Sequence, residues 1–265
     1  MVARFLLVNV PTLWLGVGVL VTSIGLSLLG LLLVRKKVEL DKFEPQHEVA
    51  GFLIAVVGVI YAVLLAFVVI IVWEQFDAAE TAVGDEASAV GSLYRDAVAL
   101  GPDGQGLRVA VQRYAVSVVD VEWPYMAHHL EEDSLINPAL NGIWGAVTML
   151  RPTDATDADF VSLAVNEVAT ATQDRRTRVR DSDSEIPVPL WLVIIAGGVI
   201  TVGFTYFFGL ESFRAQAIMV SALAAVIALS GLTILTLNLP FTGGVSIKPD
   251  AMRAEITEFS TYSFR

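Results

Sequence analysis

Four long stretches of the chain carry no charged residue, and they constrain its fold more than any other feature. They are Pro11–Val34, Val49–Trp73, Ile186–Leu210 and Ala215–Ile247. An α-helix needs about 20 mainly apolar residues to cross the hydrocarbon core of a bilayer, and each stretch is long enough. We therefore expect an all-α integral membrane protein with four transmembrane helices.

A polar segment separates the second and third stretches and holds most of the negative charge. The formal net charge is −11, and residues 74–185 contain 20 acidic and 8 basic residues. We expect four parts: transmembrane helices 1 and 2 within 1–73 (about 11–34 and 49–73), an acidic helical insert outside the membrane at 74–185, transmembrane helices 3 and 4 at 186–247, and a polar tail at 248–265. No nucleic acid partner is expected, because phosphate binding requires positive charge.

The second apolar stretch runs into the insert without a stop signal. Its end, VVIIVWEQFDAAE (Val68–Glu80), has no Gly, Pro or Asn, and the first strong breaker is Gly101-Pro102. Helix 2 is therefore predicted to continue out of the membrane. Three further helices are predicted in the insert: from Leu107 to a stop at Pro124, from Asn137 to Leu150, and from about Asp157 to Arg180.

Several short motifs, in order along nearly the whole chain, resemble one family of membrane proteins. They are His47-x-x-Ala50-Gly51, Gly58–Phe67, Trp73-Glu74-x-Phe76-x-x-Ala79, Glu86-Ala87, Leu93-Tyr94-Arg95, Tyr114, Glu122-Trp123-Pro124, the Arg175/Arg176/Arg178 group, Ile186-Pro187-x-Pro189-Leu190-Trp191 and Pro240-Phe241-x-Gly243. The family is the bestrophin-like domain of unknown function, found mainly in bacteria. It often has an acidic residue shortly before the Pro-Phe-x-Gly turn, where this chain has Asn238.

The resemblance implies a distant likeness to bestrophins, which are pentameric ion channels. In those channels the second span lines the pore, a helical region lies in the cytosol between spans two and three, and both termini are cytosolic. For this chain the resemblance implies a homo-oligomer in a lipid bilayer that conducts ions. Fold alone does not fix function.

One stripe of helix 2 is the candidate pore face. Its members are spaced by three or four residues, namely Tyr61, Leu65, Val68, Val72 and Phe76. In a ring of subunits these apolar side chains would form a hydrophobic gate, with Glu74 and Asp77 as a charged mouth that favours cations. The alternative is that the stripe packs on the other spans of the same chain, since no span contains a charge that would mark an ion path.

A group of arginines near the end of the insert is a second candidate site, made of Arg175, Arg176, Arg178 and Arg180. These side chains could bind anionic lipid headgroups beside the bilayer. The alternative is pairing with the surplus carboxylates of the same insert.

No catalytic residues, cofactor or metal are expected. The chain has no cysteine, no Gly-rich phosphate loop and no zinc-binding helix motif. The run His128–Asp133 has the residue types of a metal site, but adjacent side chains on a helix point in different directions, so a solvated loop is expected there.

These features lead to two hypotheses for function and one for location. The first is an oligomeric bestrophin-like channel with helix 2 lining the pore. The alternative is a membrane-anchored scaffold or sensing module whose acidic insert binds a partner protein. We expect the bacterial inner membrane, with insert and termini cytoplasmic, although Arg35-Lys36-Lys37 after the first span favours the opposite orientation.

Overall fold

The structure, a computed structural model, describes residues 2–37, 47–128, 138–183, 186–208 and 212–262. Within these ranges the chain forms α-helices, one π-helical segment and no strand, which confirms the all-α prediction. The α-helices are α1 (Val2–Asn9), α2 (Thr12–Lys37), α3 (His47–Ala99), α4 (Gln105–Ser117), α5 (Trp123–His128), α6 (Pro138–Met149), α7 (Ala155–Asp183), α8 (Val188–Thr205), α9 (Phe213–Leu237) and α10 (Asp250–Tyr262). The π-helical segment, Val118–Glu122, joins α4 to α5.

Among the described residues, four helices are long and apolar enough to cross a membrane, as predicted: α2, α3, α8 and α9. Large apolar side chains are exposed along each of them, for example Leu13, Phe52, Val199 and Ile218. A helix that is apolar on all sides is typical of a membrane span, because lipid solvates the face that the protein leaves uncovered.

Helix α3 is a single helix of 53 residues. It contains no proline, the residue that most strongly breaks a helix. At 1.5 Å per residue its axis is about 80 Å long, more than twice the hydrocarbon core of a bilayer. The predicted continuation of helix 2 is therefore confirmed. The helix ends before Gly101, whose φ of 59° suits the left-handed position after a helix C-terminus.

The chain divides into two compact units. The membrane unit comprises Met1–Glu74 and Glu185–Asn238, and the insert unit comprises Gln75–Ser184 and Leu239–Arg265. The domain boundaries predicted from the sequence differ from this division mainly at the C-terminus, where the residues after Asn238 fold with the insert.

Within the membrane unit, α2 packs along α9 around a buried apolar cluster of Leu31, Val202, Val220 and Ala224. Glycine permits close contacts between the spans. Tyr61 of α3 donates a hydrogen bond to the carbonyl of Ile194 at 2.9 Å. The Tyr61 ring packs directly against Gly197: a Cβ atom on Gly197 would lie only 2.5 Å from Tyr61 Cδ2.

The insert unit has its own apolar core. Helices α3, α4, α6, α7 and α10 contribute fully buried side chains, including Val90, Val111, Ile143, Val168 and Phe259. The C-terminal helix α10 is held by stacking of the Phe259 ring on Tyr94, with ring centroids 4.1 Å apart. The insert is therefore a packed helical domain.

The fourth span is shorter than the charge-free stretch predicted. It ends at Leu237 instead of Ile247. The apolar residues that follow are buried in the insert unit, where Phe241 packs edge-on against Trp123 and the Trp123 indole N–H donates to the Ile247 carbonyl at 3.3 Å. These residues are apolar because they are buried in protein. A hydropathy pattern alone cannot distinguish burial in protein from burial in lipid.

Candidate functional site

The insert unit buries a group of charged side chains near its centre. Arg178 of α7 is fully buried between Glu86 of α3 and Glu122 of the π-helical segment, both of them also buried. Arg178 Nε and Nη2 donate to the two carboxylate oxygens of Glu86 at 2.6 and 3.0 Å, and Nη2 also donates to Glu122 at 2.6 Å. These three residues, with Tyr114 and Arg175, form what we call the buried charge cluster.

Tyr114 and Arg175 complete the hydrogen bonding of the two carboxylates. The Tyr114 hydroxyl donates to Glu86 Oε1 at 2.6 Å, and Arg175 Nε donates to Glu122 Oε1 at 2.8 Å. Each oxygen of both carboxylates therefore accepts at least one hydrogen bond. Burying a charge is costly unless it is paired and hydrogen-bonded, and this arrangement meets both conditions.

The remaining contacts of the Arg178 guanidinium come from the helix turn after the π segment. The Trp123 ring lies 5.3 Å from the guanidinium carbon, and the Met126 sulfur accepts from Nη1 at 3.3 Å. An arginine over an indole face gains a cation–π interaction, which is stronger where water is excluded.

The π-helical segment places Glu122 in this cluster. Single π turns inside α-helices are rare and frequently occur at functional sites. The wider turn directs Val118 and Glu122 into the protein and leaves Asp120 and Val121 exposed. It also leads without a break into α5, so the stop predicted at Pro124 is wrong: the helical conformation continues past this proline to His128.

The electrostatics of the cluster favour its charged form. Burial alone would raise the pKa of Glu122, but the Arg178 and Arg175 guanidinium groups hold it below the ordinary value. Burial and the Glu86 carboxylate together raise the pKa of Tyr114, which stays a neutral donor. Two carboxylates and two guanidinium groups balance in charge, so the cluster joins α3, α4 and α7 through polar contacts and leaves no surplus charge for a ligand.

The four arginines predicted as headgroup or ion-pair candidates fall into two classes. Arg178 and Arg175 are taken up by ion pairs inside the insert. Arg180 and Arg176 are exposed, and Arg180 pairs with neighbouring Asp181 at 3.1 Å. Headgroup binding by Arg176 and Arg180 stays a prediction.

The predicted pore stripe of α3 lies mostly on the covered side of the helix. Tyr61, Val68 and Val72 are buried by their own chain, and Leu65 is half-buried. Phe76 packs against the core of the insert unit. Pore lining depends on an assembly of subunits, so the five residues stay a prediction, but these contacts are those of the packing alternative.

The opposite side of α3 is exposed and equally periodic. Six apolar side chains lie on it at steps of three or four: Phe52, Val56, Val59, Val63, Phe67 and Ile70. The same spacing continues to Glu74 and Asp77, both exposed. We call this set the open face of α3. The two mouth candidates therefore share a face with these residues and not with the Tyr61–Phe76 stripe.

Across the described ranges, no group of three or more His, Asp or Glu side chains is placed to hold a metal ion. Most of the polar run that has the residue types of a metal site, His129–Asp133, lies outside those ranges.

A family model for the bestrophin-like domain matches residues 21–252, which is most of the chain. The chain belongs to the bestrophin-like domain family. No curated protein matches it in sequence. Among solved structures, the chain is similar to a mutant of a bacterial bestrophin homologue from Klebsiella pneumoniae. The TM-score is 0.73 and the sequence identity is 12%, and the match covers 93% of this chain and 99% of the other. A second solved structure, of a membrane protein with a proline-to-alanine mutation, gives a TM-score of 0.67 and 13% identity, with the same coverage.

Four of the motifs that carried the family resemblance meet in space. Glu86, Tyr114, Glu122-Trp123 and the Arg175–Arg178 group are far apart in sequence, yet together they build the buried charge cluster. Sequence reasoning identified the arginines but not their partners. A signal was present, because Glu86 lies on the same helix face as Val83 and Val90, both buried. A lone acidic residue on an apolar face predicts a buried partner.

Asn238, which stands where the family often has an acidic residue, also has a structural role. It is buried, and its Oδ1 accepts a hydrogen bond from the Ile186 backbone N–H at 2.8 Å. This bond joins the end of the fourth span to the residues that precede the third.

Proposed function

We propose that this bestrophin-like protein is an oligomeric ion channel in which the open face of α3 lines the pore. The observation that carries the proposal is the pattern of that face, which is exposed in a single chain, apolar from Phe52 to Ile70, and acidic at Glu74 and Asp77. A closed ring of identical subunits would bring copies of one helix face around a common axis.

The chemistry of the open face supports a gated, cation-preferring path. The copies of Val63, Phe67 and Ile70 from all subunits would form successive narrow rings that exclude water and act as a hydrophobic gate. Glu74 and Asp77 follow at the end of the span, where rings of carboxylates raise the local concentration of cations. The described spans supply no charge at mid-membrane, so the gate is apolar and selectivity comes from the mouth.

The Tyr61–Phe76 stripe gives a second version of the pore, in which helix 2 would have to turn its covered side to the axis. That version requires loss of the hydrogen bond from Tyr61 to Ile194 and of the packing on Gly197. The open face requires no such loss, and for this reason we propose it.

Cysteine accessibility separates the two versions, because the natural chain contains no cysteine. Single variants Val63→Cys, Phe67→Cys and Ile70→Cys on the open face, and Val68→Cys and Val72→Cys on the covered face, are reconstituted in liposomes. Ion flux is then measured before and after a charged thiol reagent.

We expect the reagent to change flux only in the open-face variants, and Glu74→Gln with Asp77→Asn to reduce cation over anion flux. Modification confined to Val68→Cys and Val72→Cys would favour the covered stripe. Absence of flux from a correctly assembled oligomer, with a protein recovered by crosslinking through the insert, would favour the scaffold hypothesis instead. A monomer in lipid would contradict the channel.

We also propose that the insert and both termini face the cytoplasm of a bacterial inner membrane. The basis is the larger number of Lys and Arg residues on the insert side. The test compares two single cysteine variants. Ser88→Cys is exposed on the insert, and Lys36→Cys lies in the last turn of α2, which the proposed topology places on the other side of the membrane. In intact spheroplasts an impermeant thiol reagent should label Lys36→Cys and not Ser88→Cys. The reverse pattern would overturn the orientation.

A further inference from the structure

The membrane unit contains an elongated apolar cavity that the proposed pore does not use. Its volume is about 600 Å³, and it lies between α2, α8 and α9, with Tyr61 of α3 in its wall. Its lining extends along α8 from Trp191 to Tyr206. This volume is within the range of about 300–1,000 Å³ that small-molecule sites occupy.

The cavity is long. The 15 residue steps from Trp191 to Tyr206 correspond to about 22 Å of helix axis, most of the depth of a hydrocarbon core. That length suits an extended chain of methylene groups that runs along the spans.

The wall is mostly apolar. Of its five polar residues, Ser27 donates to the Ile24 carbonyl at 2.8 Å and Tyr61 donates to the Ile194 carbonyl at 2.9 Å, so both hydroxyls are used within the protein. The other three are Ser23, Trp191 and Tyr206. A cavity whose walls are mainly apolar favours apolar molecules.

The cavity opens on the outer surface of the spans. Leu26, Ile195 and Val199 belong to its wall and are also exposed apolar residues. The medium at such a surface is the hydrocarbon of the bilayer. We propose that the cavity is a lipid site that holds one acyl chain of a membrane phospholipid between α2, α8 and α9.

Two glycines in the wall allow the site to be filled without disturbing the fold. A Cβ on Gly231 or Gly203 would have no heavy atom within 4 Å, so a larger side chain has room to enter the cavity. Gly25 of α2 is equally open around its Cβ but is not in the wall, and it is exposed. Gly25→Leu is therefore a matched control for Gly231→Leu and Gly203→Leu.

The test uses the full protein in liposomes with phosphatidylglycerol that carries a photoreactive diazirine on one acyl chain. Crosslinked positions are mapped by mass spectrometry, and oligomer size and thermal unfolding are measured for each variant. In the natural protein we expect labelling at Ala228 and Leu232 in the wall, as well as at exposed residues such as Met219 and Val226.

In Gly231→Leu and Gly203→Leu, labelling of the wall should fall about tenfold or more, because the added side chain displaces several methylene groups of the lipid. Labelling at Met219 and Val226 should be unchanged, and Gly25→Leu should behave as the natural protein. Equal wall labelling in all variants would overturn the lipid site. So would wall labelling that appears only after the oligomer dissociates, since a second copy would then be the occupant.

Discussion

Arg178 donates hydrogen bonds to both carboxylate oxygens of Glu86, a residue 92 positions earlier in the chain, and both side chains are almost completely removed from solvent. The pair joins α7 to the extramembrane part of α3. Removing one member of a buried ion pair leaves the other charge without compensation.

The first prediction concerns this pair. Arg178→Met leaves Glu86 and Glu122 buried without their common partner, so the free energy of unfolding of the insert should fall by about 3–5 kcal/mol. Chemical unfolding of the detergent-solubilised protein, followed by tryptophan fluorescence, to which the insert contributes Trp123 and Trp144, measures the change. Arg180→Met, which removes an exposed ion pair, should cost about 0–1 kcal/mol. Equal losses in the two variants would contradict a structural role for the cluster.

A second prediction concerns the contact between Tyr61 and α8. Gly197→Ala places a methyl group 2.5 Å from the Tyr61 ring, so the membrane unit should be destabilised by about 1–3 kcal/mol as ring and helix move apart. Gly203→Ala, on the same helix but with open space around its Cβ, should have little effect. Thermal unfolding in detergent compares the two, and a larger effect of Gly203→Ala would show that the contact is not as described.

The third prediction concerns Asn238. Asn238→Ala leaves the Ile186 N–H without its acceptor in a buried position and should cost about 1–3 kcal/mol. Thr233→Ala is the control, since Thr233 is exposed and bonds only within its own helix. Limited proteolysis near Ile186 should be faster in the Asn238 variant alone. Identical cleavage rates in both variants would exclude the proposed link between the spans.

The fourth prediction is a pH dependence at the C-terminal helix. Burial raises the pKa of the Glu255 carboxyl; Arg95 opposes this effect and Glu258 adds to it. Burial also raises the pKa of Asp96 and Glu167 in the same unit. A carboxyl whose pKa is raised by folding binds its proton more tightly in the folded state, so stability increases as pH falls through the raised pKa and becomes constant below the unfolded value.

Glu255→Gln should therefore stabilise the docking of α10 at pH 7, with the advantage disappearing near the ordinary pKa of glutamate, about 4.3. Hydrogen exchange of the α10 amides at pH 7 and at acid pH measures this. Glu258→Gln, at a more exposed position, removes only the contribution of Glu258 to this shift and should stabilise the docking less. Slower exchange in the natural protein than in Glu255→Gln at pH 7 would reverse the sign and refute the prediction.

The spans, the long α3 and the helical insert follow from local features of the sequence. Charge-free stretches give α2, α3, α8 and α9, and the absence of a breaker before Gly101 gives the length of α3. The end of α9 could not be predicted in this way, because residues such as Phe241 and Ile247 are apolar for the core of the insert and not for lipid.

The buried charge cluster was harder to predict because its members are joined only by the fold. Glu86 and Arg178 are distant in sequence, and a π turn is needed to direct Glu122 inward. Helical periodicity also identifies an apolar stripe on α3 but does not show whether other parts of the chain pack against it. Tyr61, Val68 and Val72 follow the same spacing as Val56, Val63 and Phe67, and only the packed structure distinguishes the covered set from the open one.

The π turn has a consequence for how this chain can change in length. A π turn holds one residue more than the α-helical phase of its flanks requires, so it is equivalent to a single-residue insertion retained within a helix. Loss of the exposed Asp120 would let Val118 and Glu122 close into an ordinary α-turn on the same face. The same loss elsewhere in α4 or α7 would rotate every later side chain by about 100°. In related chains, we therefore expect insertions and deletions within α4 and α7 to be rare, and those in the segment Val118–Glu122 to be more frequent.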